Sequence, residues 1–242
     1  MEMVLFPALY YAHIDLSKTT DATGIVVAHA EGSKRVPRTD MATGQTVYEN
    51  MPIIRVDLAL RVVAPRHGEI DIPKVRSLIY QLRSLGMEFG LVTFDTYGSQ
   101  ESVKALKDAG YQADVYSVDT EFTPWNELKQ ALYDERLMCF EFPHLEHELA
   151  QLERTPKKVD HPPRGSKDVA DCLAAVVHHV EEGWRKGMGA QGMFQIGLVE
   201  QPGMSNETSQ RRRDQIITKV VRGTPINMEE EDKLVFPDLD NS

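Results

Sequence analysis

The chain has 242 residues, of which 41% are hydrophobic and 26% charged, ordinary proportions for a globular protein with enough apolar material for a sizeable core. A net charge of −10 argues against a nucleic-acid coat protein, whose affinity needs a basic surface, but not against an enzyme that holds metal ions in a local nest of carboxylates. No run approaches the roughly 18 apolar residues of a membrane span, and the N-terminus shows no signal-peptide design.

The first predicted element is a mostly apolar strand over residues 8–16 that ends at Asp15. A polar turn from Ser17 leads to a second strand, Gly24 to Ala30. Glu31 to Asn50 is polar and turn-rich, with Gly32, Pro37 and Gly44, and reads as a long loop or a flexible hairpin. Residues 53–63 alternate apolar and polar side chains, the period-2 signature of a half-exposed third strand.

The periodicity then changes. Asp71 can cap a helix with Pro73 in its first turn, carrying Val75, Leu78, Ile79 and Leu82 at helical spacing and stopped by Gly86. Phe89 to Phe94 is continuously apolar, as a buried central strand should be, and ends at Asp95. A short helix from Ser99, a strand over residues 113–118, helices over 125–137 and 144–154, and a brief strand near Cys139 follow. A basic, proline-rich loop (Lys157 to Gly165) leads to Ser166, which is expected to cap a last helix over residues 167–180. Residues 1–182 thus read as one domain and 183–242 as a partly flexible C-terminal extension containing Arg211-Arg212-Arg213 and an acidic end. Strand–strand–strand followed by alternating helices and strands predicts an α/β fold, with a mixed sheet and helices on both faces.

Three acidic positions stand out: Asp15 and Asp95, each closing a strand, and the pair Asp168 and Asp171 opening the last helix. If the first and fourth strands are neighbours, Asp15 and Asp95 lie side by side, and the helix brings Asp168 or Asp171 to the same point. At about 100° per residue, Asp168 stands about 120° and Asp171 about 170° from the centre of the helix's apolar stripe, facing either a cleft or solvent. Clustered carboxylates raise one another's pKa. Hard divalent ions with oxygen ligands, Mg²⁺ or Mn²⁺, relieve that repulsion. Taken singly, strand-end aspartates also cap turns, and acids in a first helical turn also favour the helix dipole.

On those residues the sequence resembles a known family. His13-Ile14-Asp15-Leu16-Ser17 with Asp21-Ala22-Thr23-Gly24 is similar to the first strand and hairpin of phage large terminase nuclease domains. Val92-Thr93-Phe94-Asp95-Thr96-Tyr97-Gly98-Ser99 resembles the family's second acidic segment, and Ser166-Lys167-Asp168-Val169-Ala170-Asp171-Cys172-Leu173-Ala174 the third. The likeness spans roughly residues 8–182. It implies a ribonuclease H-like fold and an endonuclease that cleaves double-stranded concatemeric viral DNA during genome packaging by two-metal phosphodiester hydrolysis. Asp15, Asp95 and Asp171 would be the catalytic metal-binding acids, with Asp168 and Asp21 as auxiliary metal-site acids and two Mg²⁺ or Mn²⁺ ions as cofactors. The implied partners are double-stranded DNA, a packaging ATPase domain, the portal and the small terminase subunit, in the host cytoplasm and outside the mature virion. No G-x-x-x-x-G-K-[ST] loop occurs in the sequence, so the chain is not the packaging motor; it reads as an isolated domain or the product of a split gene.

Other groups carry smaller expectations. Lys157, Lys158, Arg164 and Lys167 cluster before the acidic helix and suit DNA-backbone contacts. The pairs His144/His147 and His178/His179 lack the spacing of a zinc site and read as surface or packing residues. His13 is expected on the strand face opposite Asp15, Trp125 in the core, and Cys139 and Cys172 as buried free thiols in a reducing compartment. Two alternatives stay open: a resolvase- or transposase-like nuclease, which would want a basic surface, and a non-catalytic assembly module docking on the portal or small terminase.

Overall fold

The computed structural model describes residues 8–17, 22–96 and 98–187. Asp21, Arg211 to Arg213 and nearly all of the expected C-terminal extension lie outside the described residues. Among the described residues six strands form the central sheet. β1 (Leu9–Asp15) pairs antiparallel with β2 (Thr23–Thr39), and β2 pairs antiparallel with β3 (Thr46–Val62). β4 (Glu88–Phe94) lies parallel to β1 on its other side, and β5 (Ala113–Val115) parallel to β4. The two-residue β6 (Leu137–Met138) pairs parallel with β3. This is the mixed sheet expected from the hairpin followed by helix–strand crossovers.

The polar stretch from Glu31 to Asn50 forms a hairpin rather than a loop. β2 and β3 stay paired out to Thr39 and Thr46, with register shifts at Val27/Ala28 and Ala30/Gly32, around a turn in which the Asp40 carboxylate accepts the N–H groups of Ala42 and Thr43. Ladder hydrogen bonds are indifferent to side-chain polarity, so hydrophobic periodicity could not show this extension.

Helices cover both faces. α1 (Ile72–Ser84) starts as expected, with Asp71 accepting the N–H of Lys74, and with α2 (Gln100–Asp108) it belongs to one side. There Tyr80 meets Tyr111, and Phe89 meets both Tyr111 and Tyr10. On the other side α5 (Asp168–Arg185) lies across β1, β2 and β3, flanked by α3 (Thr123–Tyr133) and α4 (Pro143–Gln151). Val169, Leu173, Val176 and Val180 of α5 are buried against Tyr11, Val26, Ile54 and Val56, and Trp125 joins that core. A small antiparallel pair joins β7 (Glu153–Arg154), just before the basic loop, to β8 (Val159–Asp160) within it.

Close packing of α5 depends on two glycines. A Cβ on Gly24 would sit 2.1 Å from the Asp168 carbonyl oxygen, and one on Gly183 would sit 2.0 Å from the Tyr11 hydroxyl. Gly24 is also the register partner of Asp15, so the missing side chain lets the start of α5 approach the end of β1.

Several expectations are corrected. Ser166 does not cap α5: its hydroxyl faces Glu148 Oε1 and Asp168 Oδ2, while Glu148 Oε2, from α4, accepts the N–H groups of Val169 and Ala170. A buried carboxylate from another helix thus satisfies the orphan donors. His13 shares the α5-facing side of β1 with Asp15, since residues two apart on a strand point the same way; its Nδ1 is 2.8 Å from the Thr93 hydroxyl, which also meets His179 Nε2 at 2.9 Å. Cys139 is exposed, whereas Cys172 is buried.

Candidate functional site

β1 and β4 run parallel, and the Asp95 N–H donates to the Ile14 carbonyl at 3.0 Å. The ladder therefore carries Asp95 level with the end of β1, beside Asp15. Gly24 admits the first turn of α5 to the same edge, delivering Asp168 and Asp171. Thus Asp15, Asp95, Asp168 and Asp171 all lie at one end of the sheet. Asp21 cannot be placed, because it lies outside the described residues.

The electrostatics of that edge are dominated by negative charge. The Asp15 carboxyl is pushed up to about 7 by burial first, then by Asp95, Asp168 and Asp119, against the opposing charge of Lys167. Asp171 is raised well above the usual carboxylate range, again by burial first, with Asp15 and Asp119 adding to it and Lys167 opposing it. Asp171 is turned away from bulk solvent, its side chain 14% exposed.

One residue of this cluster, Asp119, escaped sequence reasoning, and a second, Lys167, was expected at the DNA backbone but is buried and paired with two carboxylates instead. Asp119 directly follows the strand predicted over residues 113–118, so the strand-end rule that selects Asp15 and Asp95 would have selected it too. Lys167 is buried, and its Nζ lies 2.8 Å from Asp119 Oδ1 and 3.0 Å from Asp171 Oδ2. The i,i+4 spacing of Lys167 and Asp171 was the available signal. Lys158 stands nearby, 2.9 Å from Asp160 and 3.7 Å from Asp119, whereas Lys157 and Arg164 are exposed.

Two observations fit a hard divalent cation at this edge. The donors are all carboxylate oxygens, and Asp171 Oδ1 is buried with no hydrogen-bond partner, a costly state for an anionic oxygen without a cation. The fit is one of chemistry and sign rather than a ready-made cage: among the described residues no three His, Cys, Asp or Glu side chains already converge closely enough to hold a metal ion, and Lys167 supplies one positive charge. Beside the acids a cavity of about 360 Å³ is lined by Asp119, Thr155, Pro156, Lys157 and Lys158.

No protein-family model and no curated protein matches the sequence. Two solved structures are similar: the HK97 bacteriophage large terminase, at 13% identity over 73% of this chain with a TM-score of 0.47, and the large terminase nuclease from thermophilic phage G20c, at 16% identity over 72% with a TM-score of 0.46. The chain spans 40% of the length of the HK97 protein and 83% of the G20c nuclease. No helix among the described residues is long and apolar enough to cross a membrane.

Proposed function

We propose that the protein is a divalent-metal-dependent endonuclease that cuts double-stranded DNA, acting in viral genome packaging as its motif resemblance implies. One observation carries this reading: Asp15, Asp95 and Asp168, from three separate elements, stand at one end of the sheet, where burial first and then the charges of Asp95 and Asp168 push the Asp15 carboxyl up to about 7. A fold gains no stability from such an arrangement, whereas a site that binds Mg²⁺ or Mn²⁺ requires it.

Asp15, Asp95 and Asp171 would hold the metal, with Asp168 as the auxiliary acid. When bound, divalent ions lower the pKa of water and neutralise charge on a phosphodiester undergoing in-line displacement. The chain's own residues do the rest. β1 and β4 fix the spacing of Asp15 and Asp95 through the backbone ladder. Glu148 anchors the first turn of α5 and so orients Asp168 and Asp171. Exposed Lys157 and Arg164, with Lys158 at the adjoining cavity, would take the DNA backbone.

The test is plasmid digestion with Mn²⁺, with and without EDTA, by the wild type and Asp95→Asn. Cleavage that needs the metal and disappears in a folded variant supports the nuclease. A folded wild type that never cleaves points to the non-catalytic assembly module, the second reading, which the pairing of Lys167 with Asp171 favours.

A further inference from the structure

We propose that Lys167 is the resident counter-cation of the acid cluster, and that a divalent ion binds by displacing its ammonium from Asp171. The inference rests on the metal-site reading above. Its basis is the geometry of one side chain. Lys167 sits at the N-terminal boundary of α5, 8% exposed, with its Nζ bridging Asp119 and Asp171.

The two partners differ. Asp171 is the more buried, at 14% exposure, while Asp119 reaches toward solvent at 38%. Lys167 occupies only Oδ2 of Asp171 and leaves Oδ1 buried with no partner. One carboxylate oxygen therefore lacks a partner while the other is held by the ammonium. Lysine is suited to such an exchange. Its charge is a compact point on a flexible stem, whereas arginine would lock into a planar fork. Moving the ammonium toward solvent breaks the contact with Asp171 and can keep the one with Asp119, so the charge need not be stranded. Glu148, which holds the first turn of α5 through the Val169 and Ala170 amides, stays in place during the exchange.

The metal-free fold thereby tolerates carboxylates that would otherwise repel one another unopposed, and the metal binds against a competitor. Removing the competitor should tighten metal binding even though it removes a stabilising ion pair, the opposite sign from losing a supporting residue.

The measurement is Mn²⁺ affinity by titration calorimetry for wild type, Lys167→Met and Lys167→Arg. Lys167→Met should bind roughly tenfold more tightly or better, the scale of effect that groups around metal ligands exert, and Lys167→Arg should bind more weakly than the wild type, because its fork is harder to displace. In wild-type protein labelled with ¹³C-lysine, the Lys167 side-chain signal should shift on Mg²⁺ titration. Equal or weaker affinity in a folded Lys167→Met overturns the proposal; if that variant does not fold, an unmoved Lys167 signal in the wild type overturns it. If every form binds Mn²⁺ equally, only this inference falls; if none binds, the nuclease reading falls with it.

Discussion

At the C-terminal end of α5, Glu181 is 2% exposed and shares its carboxylate between Arg136, at 2.9 Å, and Arg185, at 3.5 Å. Arg136 is itself fully buried, with its remaining donors on the Pro52 carbonyl and Asp134. Glu127 meets both His178 and Arg185. At the N-terminal end of the same helix, Asp168 and Asp171 join Asp15, Asp95 and Asp119 around a single buried ammonium. Burying a charge is costly unless it is paired. One end meets that cost within the chain; the other leaves a surplus of negative charge that an external cation would balance. The contrast separates charges that hold the fold from charges held by it.

The largest effect should come from breaking the paired end. Arg136→Met leaves Glu181 buried with only its longer contact to Arg185, and should destabilise the protein by about 3–5 kcal/mol in urea unfolding. At the unpaired end the comparison predicts the reverse balance of effects. Asp95→Asn should leave thermal stability nearly unchanged while lowering Mn²⁺-dependent cleavage about a hundredfold or more, because metal ions supply several kcal/mol of transition-state stabilisation. Loss of fold in Asp95→Asn, or unimpaired folding in Arg136→Met, would erase the distinction.

Titration sharpens it. Asp15 takes up its proton near pH 7 in the folded state and near its ordinary 3.8 when unfolded, so its contribution is fully present below the unfolded value and is lost as pH rises through about 7. Without divalent metal, Asp15→Asn should therefore melt above the wild type at pH 8, and the gap should close as pH falls toward 4. Saturating Mg²⁺ should remove the gap at pH 8 by stabilising only the wild type. The smallest effect belongs to Glu148→Gln, which keeps an acceptor for the Val169 and Ala170 amides but loses the charge at the helix N-terminus. It should cost about 1 kcal/mol, read as a small drop in melting temperature.

Much of the fold was legible. Apolar periodicity located α1, β4 and α5, and the order of elements implied the mixed sheet. The outer halves of β2 and β3 were not legible, because their register is maintained by backbone pairing between polar residues. Of the site, Asp15, Asp95, Asp168 and Asp171 could be singled out because each stands where a regular element begins or ends. Asp119 was legible by the same rule. The capping role of Glu148 was not, since it lies on another helix, 21 residues before Val169.

By itself the sequence determined which elements form and which acids terminate them, because hydrophobic period and chain-end chemistry are local properties. Only the tertiary structure decided that β4 lies against β1, that Gly24 lets α5 approach, and that Lys167 stands among the carboxylates. Those are distances between residues far apart in the chain. The charge balance at the site depends on such distances through Coulomb's law and burial, and neither is encoded in any one segment.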